Sequence, residues 1–387
     1  MTPRTIWNAK SALKLAELGG KDILEVLFTR MQESGWVYET QYGNQDSLEG
    51  LFMAHPGSIG LARKFHHIAV LDSTYKTNKY SFPLLQVDGI TSANKTFTIG
   101  LVLMAREVDS FYTWAMEYFK RLVWSPDESP KLFVSDREKA VAKALTSIFP
   151  SAAHHLCIWH IEKNVVSECK KSFESGETED WTDFMSRWKN VVRSTSEGEF
   201  EENLRVLRES LSDREGVMDY LDRNILPLKH QFVEAWMGDV PHFGSQSSQR
   251  VEASHSLLKK FLDRRATANV LELWQAVKKL VEDQLAQIHA SLDEDPIKSL
   301  VGLPKELQPL TFQISLTGVK MCKDQFDQFK RNHDGLPCTN GTRGRLGIPC
   351  SHEIGDLLVG QGLILPEDFH PHWIIDYKSD FVVGFFG

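Results

Sequence analysis

Two short apolar runs in this chain each end in an aspartate, and two aspartates at strand ends could share a divalent metal ion. The first run is His67-Ile68-Ala69-Val70-Leu71-Asp72 and the second is Lys131-Leu132-Phe133-Val134-Ser135-Asp136. Four to six apolar or β-branched residues bounded by polar ones suit a strand buried on both faces. In open α/β sheets ligands gather at the carboxyl ends of the strands, and hard cations prefer charged oxygen ligands. The plainer reading is that each Asp caps the turn or helix that follows it. A third carboxylate, Glu252, lies in a helical stretch from Gln249 to Leu262, where Glu252, His255, Ser256 and Lys259 share one stripe at i, i+3, i+4 and i+7. By default such a stripe is a solvated face; the sharper reading aims the carboxylate into a metal pocket.

The elements that would carry these acids can be read from periodicity. Residues 8–35 recur near a 3.6-residue period and are split by Gly19-Gly20; residues 36–40 and 51–54 form two extended pieces around the polar turn at 43–46. After Asp72, residues 82–87 and 96–104 read as strands joined by turn residues. Ser110 reads as the N-cap of a helix, and the strand ending at Asp136 leads into a second helix that Pro150 stops. Strand, strand, strand, helix, strand, helix is the order of an RNase H-like sheet, with acids on the first and fourth strands. From 166 to 245 aromatic residues recur at helical intervals (Trp181, Phe184, Trp188; Phe200; Phe232, Trp236), which predicts an all-α insertion whose aromatics form a core. Another amphipathic helix follows at 269–290, and Pro and Gly punctuation from 296 to 350 predicts a small, loop-rich module.

Composition bounds the rest. With 387 residues the chain exceeds what one core usually serves. The division expected is a lead-in at 1–65, an α/β core at 66–165, the all-α insertion at 166–245, a helical completion of the core at 246–292 and a C-terminal module at 293–387. A net charge of −8 argues against a general nucleic-acid coat, although a local basic groove can coexist with it. Five cysteines are too few for a disulfide framework. The N-terminal residues lack the apolar core of a signal peptide, and no apolar run is long enough to cross a bilayer, so an intracellular protein without a membrane partner is expected.

The stretch Leu71-Asp72-Ser73-Thr74-Tyr75-Lys76-Thr77-Asn78-Lys79-Tyr80-Ser81-Phe82-Pro83-Leu84 resembles the opening of the MULE domain of Mutator-like transposases. The likeness continues through Val134-Ser135-Asp136-Arg137-Glu138-Lys139-Ala140 and closes at His154-His155-Leu156-Cys157-Ile158-Trp159-His160-Ile161-Glu162-Lys163-Asn164. Flanking sequence extends it from roughly residue 8 to residue 352, and plant far-red-response regulators share the same architecture. The resemblance implies a retroviral integrase-like, RNase H-like α/β fold and a DDE triad. Asp72 matches the first acid, Asp136 the second, and Glu252, in Gln249-Arg250-Val251-Glu252-Ala253-Ser254-His255, the third. The intervals of 64 and 116 residues leave room for an insertion only in the second. Three carboxylates are what two-metal phosphoryl transfer needs, with two Mg²⁺ (or Mn²⁺) ions about 3.5–4 Å apart. Asp72 would bridge them, while Asp136 and Glu252 would each complete one.

The resemblance therefore implies a DNA strand-cleaving and strand-transferring enzyme that is nuclear, binds transposon ends and target DNA, and assembles as a homo-oligomer. The competing reading is a domesticated, non-catalytic regulator of transcription associated with DNA or chromatin. Cys157 and His160 match the family's Cys-x-x-His signature, which is half a zinc site or an ordinary buried pair. Cys338 and the later Cys350 and His352 resemble a SWIM-type zinc finger in which Asn340 stands where a second Cys belongs; His333 or Cys322 could substitute, or the copy is metal-free. Family members carry an N-terminal zinc-type DNA-binding domain, and with no Cys ahead of Asp72 the chain is expected to lack it. Lys259, Lys260, Arg264 and Arg265 are the cations expected to line a DNA groove beside the acids.

Overall fold

A computed structural model describes residues 19–125, 128–173, 178–237, 240–245, 247–262, 266–294, 300–331 and 341–375. The fold is mixed α/β, built on a seven-stranded sheet of order β1-β2-β5-β4-β3-β6-β7. The strands are β1 (Val37–Tyr42), β2 (Leu48–Ala54), β3 (Ile68–Thr74), β4 (Leu84–Ile90), β5 (Thr96–Met104), β6 (Leu132–Ser135) and β7 (Ala153–Leu156). The first five pair antiparallel; β3–β6 and β6–β7 are parallel. The hairpin of the lead-in is thus the outer edge of the same sheet. Its order follows from crossovers: a parallel neighbour needs a helix between strands, and α3 (Asp109–Tyr118) and α4 (Lys139–Ile148) supply them before β6 and β7.

β3 is apolar from Ile68 to Leu71 because both of its faces are covered there. Ala69 and Leu71 join a large cluster with α1 (Ile23–Glu33), α2 (Pro56–Lys64), α3, α4 and α10 (Val270–Glu294). Ile68 and Val70 join a second cluster with Leu132, Val134 and the C-terminal helices. Each buried Ile, Leu or Val among them contributes about 1.5–3 kcal/mol by leaving water. After β7 the chain forms α5 (Ile158–Cys169), α6 (Thr178–Val192), α7 (Glu197–Ser210) and α8 (Glu215–Tyr220), and every element described from Thr178 to Trp236 is helical. Their aromatics do form a core, with Trp188 and Phe232 fully enclosed.

Several local expectations need correction. Ser110 does not cap α3: the cap position is Val108, and the helix starts at Asp109, whose carboxylate pairs with Lys143 of α4. The stretch from 296 to 350, expected to be loop-rich, carries α11 (Leu316–Arg331) and α12 (Gly341–Leu346), and α13 (Ser351–Gly360) follows it. On α11 the buried Val319, Cys322 and Phe326 form a helical stripe facing the second cluster, a pattern that the surrounding Gly and Pro obscure. Two elements have weak sequence signals. α2 contains Gly57 and Gly60, poor helix formers, and is held by burial of Ile59, Leu61 and Ala62. β7 is four residues long and half histidine. Residues 8–18 of the expected first helix lie outside the described residues. Among those described, no helix is long and apolar enough to cross a membrane.

Histidines fasten the C-terminal segment to the sheet. His372 stacks on Phe243 at 4.0 Å between ring centroids, and His67 meets His370 at 4.4 Å. Burial is the main cause that depresses all three, His67 to about 3, His370 to about 4 and His372 well below 6.5, with neighbouring His66, Lys131 and Arg343 adding to it. Both ring nitrogens of His372 are buried without a hydrogen-bond partner. Below pH 6.5 the unfolded chain takes up protons that the folded one refuses, so stability from this cluster is complete above about pH 6.5 and is lost as pH falls. A His372→Phe protein should melt higher at pH 7, by about 1 kcal/mol or more from removing the unsatisfied nitrogens. It should also lose less stability than wild type between pH 7 and 5; parallel melting curves would contradict this.

Candidate metal centre

Strand register sets the first two acids side by side. β3 and β6 pair as Ile68↔Leu132, Ala69↔Phe133 and Val70↔Val134, and continuing that offset brings Asp72 opposite Asp136, one residue past the end of β6. Both project on the face of Val70 and Val134, because side chains alternate, and parallel neighbours stand about 4.8 Å apart. Asp136 also accepts the N–H of Glu138 at 3.2 Å, so it caps its turn while keeping its place beside Asp72.

Glu252 arrives on α9 (Gln249–Phe261), which crosses β3 and β4. Two anchors flank it. Arg250 donates to the backbone oxygen of Asn94 at 2.9 Å and to its Oδ1 at 2.7 Å, in the β4–β5 turn. Ser254 Oγ meets Asp88 Oδ2 at 3.5 Å and accepts from Gln284 Nε2 at 3.3 Å; Gln284 Oε1 in turn accepts Thr98 N–H at 3.0 Å. Asp88 is fully buried, which pushes its carboxyl up to about 7 against hydrogen bonds from Gln86, Thr98 and Ser254. Gln86 is the cross-strand partner of Asp72, so this polar file runs along the sheet from the site itself. None of Gln86, Asp88, Arg250 or Ser254 was singled out from sequence for this role. The available signal was two polar residues inside the apolar run Leu84-Leu85-Gln86-Val87-Asp88-Gly89-Ile90.

One ligand atom from each of Asp72, His160 and Glu252 lies within 4.8 Å of the other two, and Asp136 is not part of this group. His160 Nε2 faces Glu252 Oε1 at 3.5 Å while its Nδ1 meets Ser248 Oγ at 3.2 Å. Ser248 also donates its N–H to Cys157 Sγ at 3.1 Å. The Cys-x-x-His pair thus divides its labour. Cys157, fully buried, secures Ser248; Ser248 orients the imidazole, and only His160 reaches the acids. Ser248 itself was missed in the sequence. The stripe on α9 is not one solvated face: His255 is buried with Nδ1 3.5 Å from Asp72 Oδ2, and Ser256 is exposed.

The electrostatics leave the acids short of positive charge. Burial, with the charges of Asp136 and Glu252, pushes Asp72 up to about 7. Burial raises Asp136 and Glu252 too, and Lys163 and Lys259 oppose the rise at Glu252. His160 and His255 give no compensation, since burial lowers them to about 4 and about 3 and keeps them neutral at pH 7. A neutral imidazole is the form that binds metal. Two carboxylates and an imidazole converging without a buried cation fit a divalent ion. Next to His160, a cleft of about 250 Å³ is lined by Trp159, Lys189, Arg193 and Gln249, among others.

Cys350 is buried at the N-cap of α13, and His352 is exposed. Cys338, Asn340 and His333 lie outside the described residues, as do Arg264 and Arg265; Cys322 is buried in the second cluster.

Comparison with known proteins agrees with the motif reading. The family profile of the MULE transposase domain matches residues 68–164, from the start of β3 into α5, and so takes in Asp72, Asp136, Cys157 and His160. Protein FAR-RED IMPAIRED RESPONSE 1 of Arabidopsis thaliana is 22% identical over 95% of this chain and 48% of its own length. Protein FAR1-RELATED SEQUENCE 4, also of Arabidopsis thaliana, is 25% identical over 48% of this chain and 25% of its own length. The PKS-NRPS hybrid synthetase cheA of Chaetomium globosum is 21% identical over 96% of this chain but only 9% of that protein. The chain spans less than half the length of each of these relatives. Residues 68–164 are a MULE transposase domain, and the chain is homologous to the FAR-RED IMPAIRED RESPONSE 1 and FAR1-RELATED SEQUENCE proteins.

Proposed function

We propose that this chain is the catalytic core of a DDE-type transposase, an RNase H-like domain that cleaves and transfers DNA strands with a divalent metal. The observation that carries the reading is the convergence of Asp72, His160 and Glu252 within 4.8 Å, beside Asp136 in strand register. The inner strand order β5-β4-β3-β6-β7, antiparallel on one side of β3 and parallel on the other, supports the RNase H-like assignment. Asp72, Asp136, Glu252 and His160 are the ligands. An imidazole among oxygen donors suits Mn²⁺ better than Mg²⁺. Bound there, the metal supplies Lewis-acid stabilisation of phosphoryl oxygens and a more acidic water.

The chain's own residues do the rest. The charges of Lys163 and Lys259 act on Glu252, and such cations suit the phosphates of a DNA strand; the cleft beside Trp159 carries both signs, Lys189 and Arg193 with Glu162 and Glu234. Ser248 holds the His160 ring so that Nε2 stays toward the acids, and the Arg250 and Ser254 anchors keep Glu252 over the sheet. Transposon ends and target DNA as partners, homo-oligomeric assembly and a nuclear location belong to the same reading. A second reading, a non-catalytic regulator associated with DNA or chromatin, is favoured by the relative named for a far-red response.

Two measurements separate these. In titration calorimetry with Mn²⁺, His160→Ala and Glu252→Ala should each weaken binding roughly tenfold or more, while His352→Ala should not change it. Affinity unchanged in His160→Ala would remove the imidazole from the ligand set. In Mn²⁺-dependent nicking of duplex DNA, Asp136→Asn should abolish product without altering the melting profile. Product that survives in Asp136→Asn would sink the catalytic assignment, and a wild type that binds DNA without nicking it would favour the regulator.

A further inference from the structure

The loop that leaves β3 just after Asp72 is built unlike a connecting loop. Asn78 is 1% exposed and spends its side chain entirely on the loop: Oδ1 accepts the N–H groups of Tyr80 and Phe82 at 3.1 Å each, and Nδ2 donates to Phe82 O at 2.8 Å and to Thr77 Oγ1 at 3.1 Å. Lys79 N–H is bound to Ala268 O at 2.9 Å, tying the loop to the segment after α9. Lys76 and Ser81 hold φ of 60° and 59°, a left-handed backbone that non-glycine residues adopt only under constraint. This is a rigid platform.

What the platform displays is aromatic and basic. Tyr75 is 51% exposed and Tyr80 43% exposed, each beside an exposed lysine, Lys76 and Lys79; Lys79 Nζ lies 5.1 Å from the Tyr80 ring centroid. Tyr75 is fixed at its far end, because its hydroxyl donates to Glu107, which also accepts from Tyr112 at 2.9 Å. Tyr112 in turn contacts Ser73, the neighbour of Asp72, at 3.3 Å. Burial and Glu107 raise the pKa of the Tyr75 hydroxyl, and the charges of Asp136 and Glu138 add to the rise; the chain of contacts through Glu107 and Tyr112 links the ring to Ser73, next to Asp72. A large ring with its polar end bound and half its surface in water is a costly surface feature, and Tyr75, with the exposed Tyr80 on the same rigid loop, calls for a flat ligand.

We propose that the Tyr75 ring is a stacking site for an unpaired nucleobase next to the phosphate held at the Asp72 centre, with Lys76 and Lys79 receiving the backbone on either side. The inference rests on the DNA reading above. Bases within a duplex are already stacked on both faces, so only an unpaired or terminal base offers its face to the ring. Stacking of this kind is indifferent to sequence, since every base has a π-face. It places an opened or frayed strand, rather than an intact duplex, at the acids.

The test uses the whole chain with Ca²⁺ and a duplex that carries a short single-stranded extension, with 2-aminopurine at the first unpaired position. Wild type should quench the fluorophore on binding. Tyr75→Phe and Tyr75→Trp, which keep a ring, should quench as well, whereas Tyr75→Ala should lose most of the quenching and bind the extended duplex about tenfold more weakly, with binding of a covalently closed circular duplex unchanged. Lys76→Ala should lower the salt dependence of binding by about one phosphate contact. Undiminished quenching in Tyr75→Ala with DNA still bound overturns this inference alone. Failure of wild type to bind either duplex overturns the DNA reading, and the stacking site with it.

Discussion

The structure depends on bringing carboxylates together where their charge is unmatched. Asp72 is 7% exposed, has Asp136 in register beside it and Glu252 over it, and its two imidazole neighbours are neutral. Without a counter-charge, burial and mutual repulsion favour protonation of Asp72, which is why its pKa rises to about 7. A fold would relax such a cluster if its elements could move apart. They cannot, because Asp72 lies on β3 and Asp136 directly follows β6, adjacent strands whose apolar residues are locked into cores on both faces of the sheet.

The third acid is held differently. Glu252 comes from a helix more than a hundred residues further along the chain, so strand pairing cannot place it. Arg250 and Ser254 anchor α9 on either side of Glu252, one to the β4–β5 turn and the other to buried Asp88. Buried polar groups of this sort cost free energy unless all are bonded. Here they also leave one atom unsatisfied, Gln86 Oε1, directly across from Asp72. The file is better explained as a device for position than for stability. The Cys157–Ser248–His160 chain is a second such device, and it explains why a thiol accompanies the histidine without sharing its role.

The cores follow the same division of labour. The helices from Thr178 onward enclose Trp188, Phe200 and Phe232 among themselves, so they can sit between the second and third acids without disturbing either. The C-terminal helices do the opposite: they complete the cluster that begins at Ile68 and Val70, and thereby cover the face of the sheet on which Asp72 and Asp136 stand. His67, His370 and His372 pack at that seam.

Much of this was legible in the sequence because it is local or periodic. The β3 and β6 runs, their terminal acids, the hairpin, the helical stretch from 178 and the Glu252 helix are all carried by spacing within a few residues, and motif likeness ordered the three acids. The parallel register of β3 and β6 was not legible, since nothing local specifies which residue faces which across a crossover. The role of Ser248, the burial of His255 and the anchors at Arg250 and Ser254 were equally hidden, because each depends on a partner 90 to 190 residues away. α2 and β7 escaped for the converse reason: their own residues are poor formers, and only burial against the sheet makes them regular. The sequence alone determined which groups are available for chemistry. The tertiary structure decided which of them meet, because long-range contacts, and not local propensity, choose the neighbours of a buried charge.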